Sequence, residues 1–260
     1  MTGGPRFRQH GLGVAAFILC ATTLAAGCSS APSAGTQAAV KSAGASALPA
    51  EAGSGSKPSG GGAGWTNLDQ GGSLHGYGWS RCTTTVTVSA DTSYLDAAAA
   101  DRVRAALKEV ASLWTSASGM DFTSVGSVPM KFESASQTLV PVDGPARPDH
   151  IYLALEPEVQ APRLDGGVVG LGTPTLVLSD EKRIVGGEAV FESEYVNAQS
   201  KAELIHLFAH EIGHILGLGH SPDKGNIMYS VVTDQTKLGP GDVAGINAVM
   251  RPCASATAQP

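Results

Sequence analysis

The amino-acid sequence predicts a mixed α/β (α+β) fold in one domain, and three observations predict it. An alternating stretch at residues 81–90, followed by several short strand-like runs, requires a sheet. Apolar residues recur at helical spacing over residues 96–115 and again after Ser200. The order is strands first, then a long helix, then a closing helix, which suits a layered domain of sheet and helices. With 260 residues, 42% of them hydrophobic, the chain has enough apolar material for one core plus tails.

The elements follow in order. In residues 81–90, Val86 and Val88 share one face and threonines the other, the alternation of a strand. In residues 96–115, Val103, Leu107, Val110 and Trp114 form one helical stripe. Short strands are expected at 130–133, 151–155, 175–179 and 184–191, with Gly and Pro between them. Ser200 and Glu203 have capping-box spacing, so a helix starts there and runs to about Gly217. A last helix over 241–250 follows Pro240 and should turn Val243, Ile246 and Val249 inward.

Residues 1–28 read as an export signal. Arg6, Arg8 and His10 give a cationic start, an apolar run covers 12–26, and Leu24-Ala25-Ala26-Gly27-Cys28 closes it. This close resembles a bacterial lipobox, in which Cys28 becomes the lipid-carrying first residue. Two outcomes are open: a lipoprotein anchored at the membrane surface, or simple secretion with cleavage near Ala26. The run is shorter than the about 20 residues a spanning helix needs. Residues 29–64 are Ala, Ser, Gly and Pro with almost no large apolar side chain, and should form a flexible tether. The folded domain is then 65–253, and 254–260 is a tail.

Setting aside Cys20 in the signal and Cys28 leaves Cys82 and Cys253. In an oxidising compartment they suggest one disulfide, with two free buried thiols as the alternative. A formal net charge of −6 without a long basic run argues against nucleic acid as a partner.

The chemistry concentrates in His210-Glu211-Ile212-Gly213-His214-Ile215-Leu216-Gly217-Leu218-Gly219-His220. His210 and His214 lie four apart on a helix, so both imidazoles leave one face and can share a metal. Glu211 sits about 100° round the helix, beside the metal rather than on it. Gly217 lets the chain leave the helix at positive φ, so that His220 returns as a third ligand. Three imidazoles and an open position suit a catalytic zinc. One side of the helix carries Glu203, His206, His210, Gly213, His214 and Gly217 and should face a cleft; the other is apolar. Gly213 in mid-helix costs about 1 kcal/mol relative to Ala, which implies that something approaches closely there. His206 is expected as an ordinary, partly buried histidine, or as a hydrogen-bonding neighbour of the site. His150 should be structural, and Tyr229 either packs or touches substrate.

These eleven residues are similar to the metzincin zinc-binding motif. Ser221 and Asn226-Ile227-Met228-Tyr229 resemble the matrixin branch with its Met-turn, and residues 238–246 resemble the start of the matrixin closing helix. The resemblance is firm over about residues 200–250 and weaker back to Arg81. It implies a zincin-like catalytic domain with a twisted, mostly parallel five-stranded sheet, an active-site helix and a C-terminal helix. It also implies a substrate cleft along the edge strand, and Met228 as an apolar floor beneath the zinc. The structural zinc of the matrix metalloproteinase pattern has no counterpart, since no histidine falls between Asp165 and Glu194. A propeptide cysteine switch is not recognisable around Cys82. Asp180, Glu188 and Glu192 offer carboxylates for calcium as in that family, but solvated surface charge is the expectation.

The expected function is therefore that of a zinc endopeptidase with one catalytic Zn2+, a polypeptide substrate outside the cytoplasm, and a monomeric state. Zinc lowers the pKa of bound water toward about 7, and Glu211 takes the proton as the water attacks the peptide carbonyl. A non-catalytic zinc-binding surface protein and a cell-surface binding module with a relict fold are the competing classes; the first would have little use for Glu211 and the open position. A glutamate as third ligand is disfavoured, because His220 already stands at the right spacing.

Overall fold

A computed structural model describes residues 38–40, 64–68, 76–133, 138–160, 164, 168–178 and 182–251. They lie within one compact unit, 34–260. The signal segment, Cys28, Asp180 and Cys253 lie outside the described residues, as does most of the expected tether. Among the described residues no helix is long and apolar enough to cross a membrane.

The strands are β1 (Ala38–Val40), β2 (Thr66–Asn67), β3 (Gly78–Trp79), β4 (Thr85–Asp91), β5 (Asp121–Val125), β6 (Met130–Glu133), β7 (Thr138–Pro141), β8 (His150–Glu156), β9 (Val168–Leu178), β10 (Arg183–Glu192) and β11 (Leu218–Gly219). The helices are α1 (Ala97–Ser118), α2 (Ser193–Ala198), α3 (Lys201–Leu216) and α4 (Pro240–Val249). The main sheet has the order β1-β9-β10-β8-β4-β5, with β3 also on β10. Its five long strands are the mostly parallel sheet expected: β5, β4, β8 and β10 run parallel, and β9 is antiparallel at the edge.

Parallel strands covered on both faces bury alternate residues in two places. From β8, Ile151, Leu153 and Leu155 join the large core under α1 and α3, while Tyr152 and Ala154 join a smaller cluster with Met130 and Leu139 of the β6–β7 hairpin. The stripe on α1 is as read: Val103, Leu107, Val110 and Trp114 are all buried. Asp96 caps this helix by accepting from Ala99 N at 2.7 Å, and Gly119 ends it at φ 75°. Strand β5 was not expected; its only buried residue is Phe122, so its alternation is too short to stand out.

Three expectations are corrected. Val243 is 40% exposed, while Gly241, Asp242, Gly245, Ile246 and Val249 form the buried face of α4. The inward stripe is set one residue earlier than the apolar residues suggest, because a carboxylate occupies part of it. Second, the side of α3 expected to face a cleft is covered: every residue from Leu204 to Leu216 is buried, with β9 and residues 226–233 against that side. Third, Glu188 and Glu192 are buried rather than solvated, and Glu188 Oε2 accepts from Leu139 N at 2.6 Å. Within the expected tether, Ala38–Val40 form the short strand β1 on the edge of β9.

The rotation of α4 has a measurable consequence. Ile246→Ala should cost about 2–5 kcal/mol, whereas Val243→Ala should stay within about 0.5 kcal/mol. Urea unfolding of both variants checks this, and equal losses would contradict the placement of the helix.

Candidate metal centre

Helix α3 is defined at both ends by local chemistry. Ser200 and Glu203 form the reciprocal capping box, and Gly217 closes the helix at φ 108° with its N–H on the carbonyls of Gly213 and His214. The chain then runs as β11 antiparallel to β2, pairing Leu218 with Asn67 and Gly219 with Thr66. Leu68 N donates to Gly217 O at 2.9 Å, and Thr66 Oγ1 donates to His220 O at 2.8 Å. A two-residue strand from far upstream thus delivers His220 beside the helix. Nothing in the local sequence of residues 66–67 signals this role.

Among the described residues, His210, His214 and His220 each bring one ligand atom within 4.8 Å of the others. His210 Nδ1 donates to Ile227 O and His214 Nδ1 donates to Leu218 O, both at 2.8 Å. A carbonyl can only accept, so these bonds fix the Nδ1–H tautomer and leave a lone pair on each Nε2. The two Nε2 atoms stand 3.1 Å apart. With both protons on Nδ1 this contact is not a hydrogen bond; it is two lone pairs aimed at one point. Two nitrogens each at about 2.0–2.1 Å from a tetrahedral zinc fall at about this separation, so the donor set fits the metal.

Charge agrees with geometry. Burial holds His210 well below the usual histidine range, helped by His214 and His220, against the pull of the Ile227 carbonyl. His214 is pushed down to about 3 by burial and by His220. Neutral imidazoles are the form that binds metal. His206 is fully buried, contrary to expectation, and burial pushes it down to about 4. Its Nδ1 meets Thr233 Oγ1 at 3.0 Å and its ring stacks over His210 with centroids 6.2 Å apart.

Glu211 is buried and lies against strand β9. Its Oε2 accepts from Gly172 N at 2.6 Å. A Cβ on Gly172 would collide with the Glu211 carbonyl oxygen, and one on Gly170 would stand 3.0 Å from Glu211 Oε1. Glycine two apart in a strand faces one side, so the Gly170-Leu171-Gly172 pattern is the sequence signal for a backbone crossing the helix.

The notch at Gly213 is filled as expected: a Cβ there would meet Met228 Sδ and then Trp114. Met228 is buried directly against α3 in the turn after His220. What holds that turn was missed. Asp242 of α4 is buried and accepts from Ile227 N at 2.6 Å, Met228 N at 3.1 Å and Gly239 N at 2.8 Å. Burial raises its pKa while these three N–H groups oppose the rise. Ile227 then offers its carbonyl to His210, so Asp242 positions a candidate ligand through one peptide unit. Asn226 adds to the clamp, taking Gly241 N on Oδ1 at 2.9 Å and giving Nδ2 to Ser221 Oγ at 2.8 Å. Tyr229 is half-buried, with Lys224 Nζ 5.9 Å above its ring. His150 is structural: it stacks on Tyr152 at 4.4 Å and meets Ser89 Oγ at 2.7 Å.

Comparison with known proteins matches this architecture. The matrixin peptidase family matches residues 78–250, from β3 to the end of α4. Neutrophil collagenase of Homo sapiens is 38% identical over 71 residues, 25% of this chain and 15% of that protein. Interstitial collagenase of Sus scrofa is 36% identical over 72 residues, 26% of this chain and 15% of that protein. The matched part of the chain spans about a seventh of the length of these relatives.

The clamp predicts a specific loss. Asp242→Asn keeps size but weakens the hold on Ile227 and Met228, and should lower zinc affinity by about tenfold or more, as partners of ligands do. Competition with a chromogenic chelator measures it; an unchanged affinity with the fold intact would remove Asp242 from the positioning role.

Proposed function

The chain belongs to the matrixin family of metallopeptidases, and from that premise we propose that it is a zinc-dependent endopeptidase acting on polypeptides outside the cytoplasm. One observation carries the proposal: two imidazole lone pairs converge on one point, and the same helix buries a carboxylate, Glu211, that is not part of that ligand set. A binding module has no need for that carboxylate.

His210, His214 and His220 would hold the zinc, which supplies the Lewis acid that polarises a peptide carbonyl and acidifies water. Glu211 takes the proton from the attacking water and passes it to the leaving nitrogen. Gly172 N orients the carboxylate for that task. Met228 packs into the notch of Gly213 and forms the apolar floor, while Asp242 fixes the turn that carries it.

Export and attachment complete the proposal. The lipobox-like segment supports a lipid on Cys28, with free secretion as the alternative, and a monomer at the membrane surface. A Cys82–Cys253 disulfide is supported by the backbone nearby. Ser80 bridges Arg251, Arg81 N donates to Arg251 O at 2.8 Å, and Arg251 N donates to Trp79 O at 2.8 Å.

Two experiments test these statements. Glu211→Gln should retain one zinc and lose activity on a quenched peptide by about 10²–10⁴-fold, while His214→Ala should lose the zinc as well. A Glu211→Gln variant that holds zinc and cleaves at the wild-type rate would remove the assigned base. Non-reducing peptide mapping of the protein recovered from the membrane should find an acylated Cys28 and one peptide linking Cys82 to Cys253. Unmodified residues 1–28 still attached, or both cysteines as free thiols, would contradict the respective assignment.

A further inference from the structure

The edge of the main sheet away from Glu211 is open. Strand β5 ends the order β9-β10-β8-β4-β5, four strands across from β9 and about 19 Å away. Asp121 N donates to Thr84 O at 2.8 Å, so in the parallel register the peptide groups of Asp121, Thr123 and Val125 point to β4. Those of Phe122 and Ser124 point outward. Thr115 Oγ1 of α1 accepts the Phe122 N–H at 2.9 Å, whereas the N–H and C=O of Ser124 have no partner among the described residues. Between this edge and α1 runs a groove of about 590 Å³, with Arg104, Lys108, Ala111, Ser112 and Thr115 on the helix side and residues 121–126 on the strand side. Ala111, Ser112 and Thr115 are short, which leaves width for a further strand, and buried Ala111 and Phe122 form an apolar floor.

The two ends of the groove carry opposite charge. Helix α1 and strand β5 are joined through Gly119 and Met120 and run in opposite directions. From Thr115 back to Lys108 the helix covers about 10 Å, as does the strand from Phe122 to Val125. Lys108 and Arg104 therefore flank the Val125 end, and Asp121 the other. Arg104 pairs with Asp101, but Lys108 is exposed and has no ion-pair partner among the described residues. We propose that the outer edge of β5, with the wall of α1 facing it, docks an extended segment of a partner protein that carries acidic residues at the Lys108 end. Ser124 would give its N–H to the added strand and accept one in return, which supplies affinity without regard to side chains. Lys108 selects an acidic residue, and Asp121 disfavours one at the opposite end. Antiparallel pairing is the more stable kind, and it puts the acidic residues at the N-terminal end of the docked segment. The inference is independent of the endopeptidase reading.

The test uses the full chain carrying Glu211→Gln, so that the probe stays intact. The probe is an N-acetylated Glu-Glu-Val-Thr-Val-Ser peptide with a rhodamine at its C-terminus, read by fluorescence anisotropy beside a Lys-Lys-Val-Thr-Val-Ser control. The acidic peptide should bind more tightly than the control and slow hydrogen exchange at Ser124 by roughly tenfold. Ser124→Pro removes the outward N–H at an edge position where proline is tolerated, and should weaken binding by about tenfold. Lys108→Glu alters one exposed side chain and should weaken it by about fivefold; this variant decides alone if Ser124→Pro fails to fold. An acidic peptide that does not bind up to about 1 mM, or binds Lys108→Glu as tightly as the parent, overturns the inference. Protection of residues 169–173 in place of Ser124 also overturns it, because the peptide is then bound along β9. So does binding of phosphatidylserine vesicles through Lys108 when the peptide leaves Ser124 unprotected, which would make the groove a membrane contact.

Discussion

The structure turns on two buried imidazole lone pairs 3.1 Å apart. Their ring protons are committed to the carbonyls of Ile227 and Leu218, so neither nitrogen can donate to the other. Burial holds both rings neutral, so repulsion cannot be relieved by taking up a proton at physiological pH. Such an arrangement is costly unless a cation sits between the rings. The neighbouring elements can be understood as the means of holding it. The capping box and Gly217 set the length of α3. Strand β2 pins β11 and brings in His220, and Asp242 pins the turn whose carbonyl holds His210.

A helix carrying so many polar groups is buried on every side only because the surrounding backbone approaches without side chains. Strand β9 passes over Glu211 at Gly170 and Gly172, and Met228 enters where Gly213 leaves a gap. The main chain can then supply N–H groups at short range, as Gly172 does for Glu211. In this arrangement strand β9 both packs against Glu211 and gives its carboxylate a backbone N–H. Core packing and chemistry therefore meet in the same few residues. Fold and site are not separable layers in this protein.

What the sequence made legible was local. The capping box, the four-residue spacing of His210 and His214, the exit at Gly217 and the notch at Gly213 each depend on contacts within a turn or two, or on one missing Cβ. The parallel sheet was foreseen through resemblance, and its strands through alternation. Less visible were features that depend on partners far along the chain. Asp242 reads as a first-turn acid of α4, and its bonds to Ile227 and Met228 span 15 and 14 residues. Thr66 reaches His220 across 154 residues. Val243 was placed inward because apolar residues usually are, but α4 spends part of its buried face on Asp242. Glu188 reads as solvated charge for the same reason, since no local signal marks a carboxylate whose hydrogen-bond donor lies on another strand.

The central claim is that the convergent histidines exist to bind zinc. Zinc-edge X-ray absorption on the purified, zinc-loaded protein tests it most directly. The account predicts one zinc per chain with three imidazole nitrogens and one further light atom at about 2.0–2.1 Å. A shell containing sulfur at about 2.3 Å, or no zinc retained after equilibration with the metal, would contradict it.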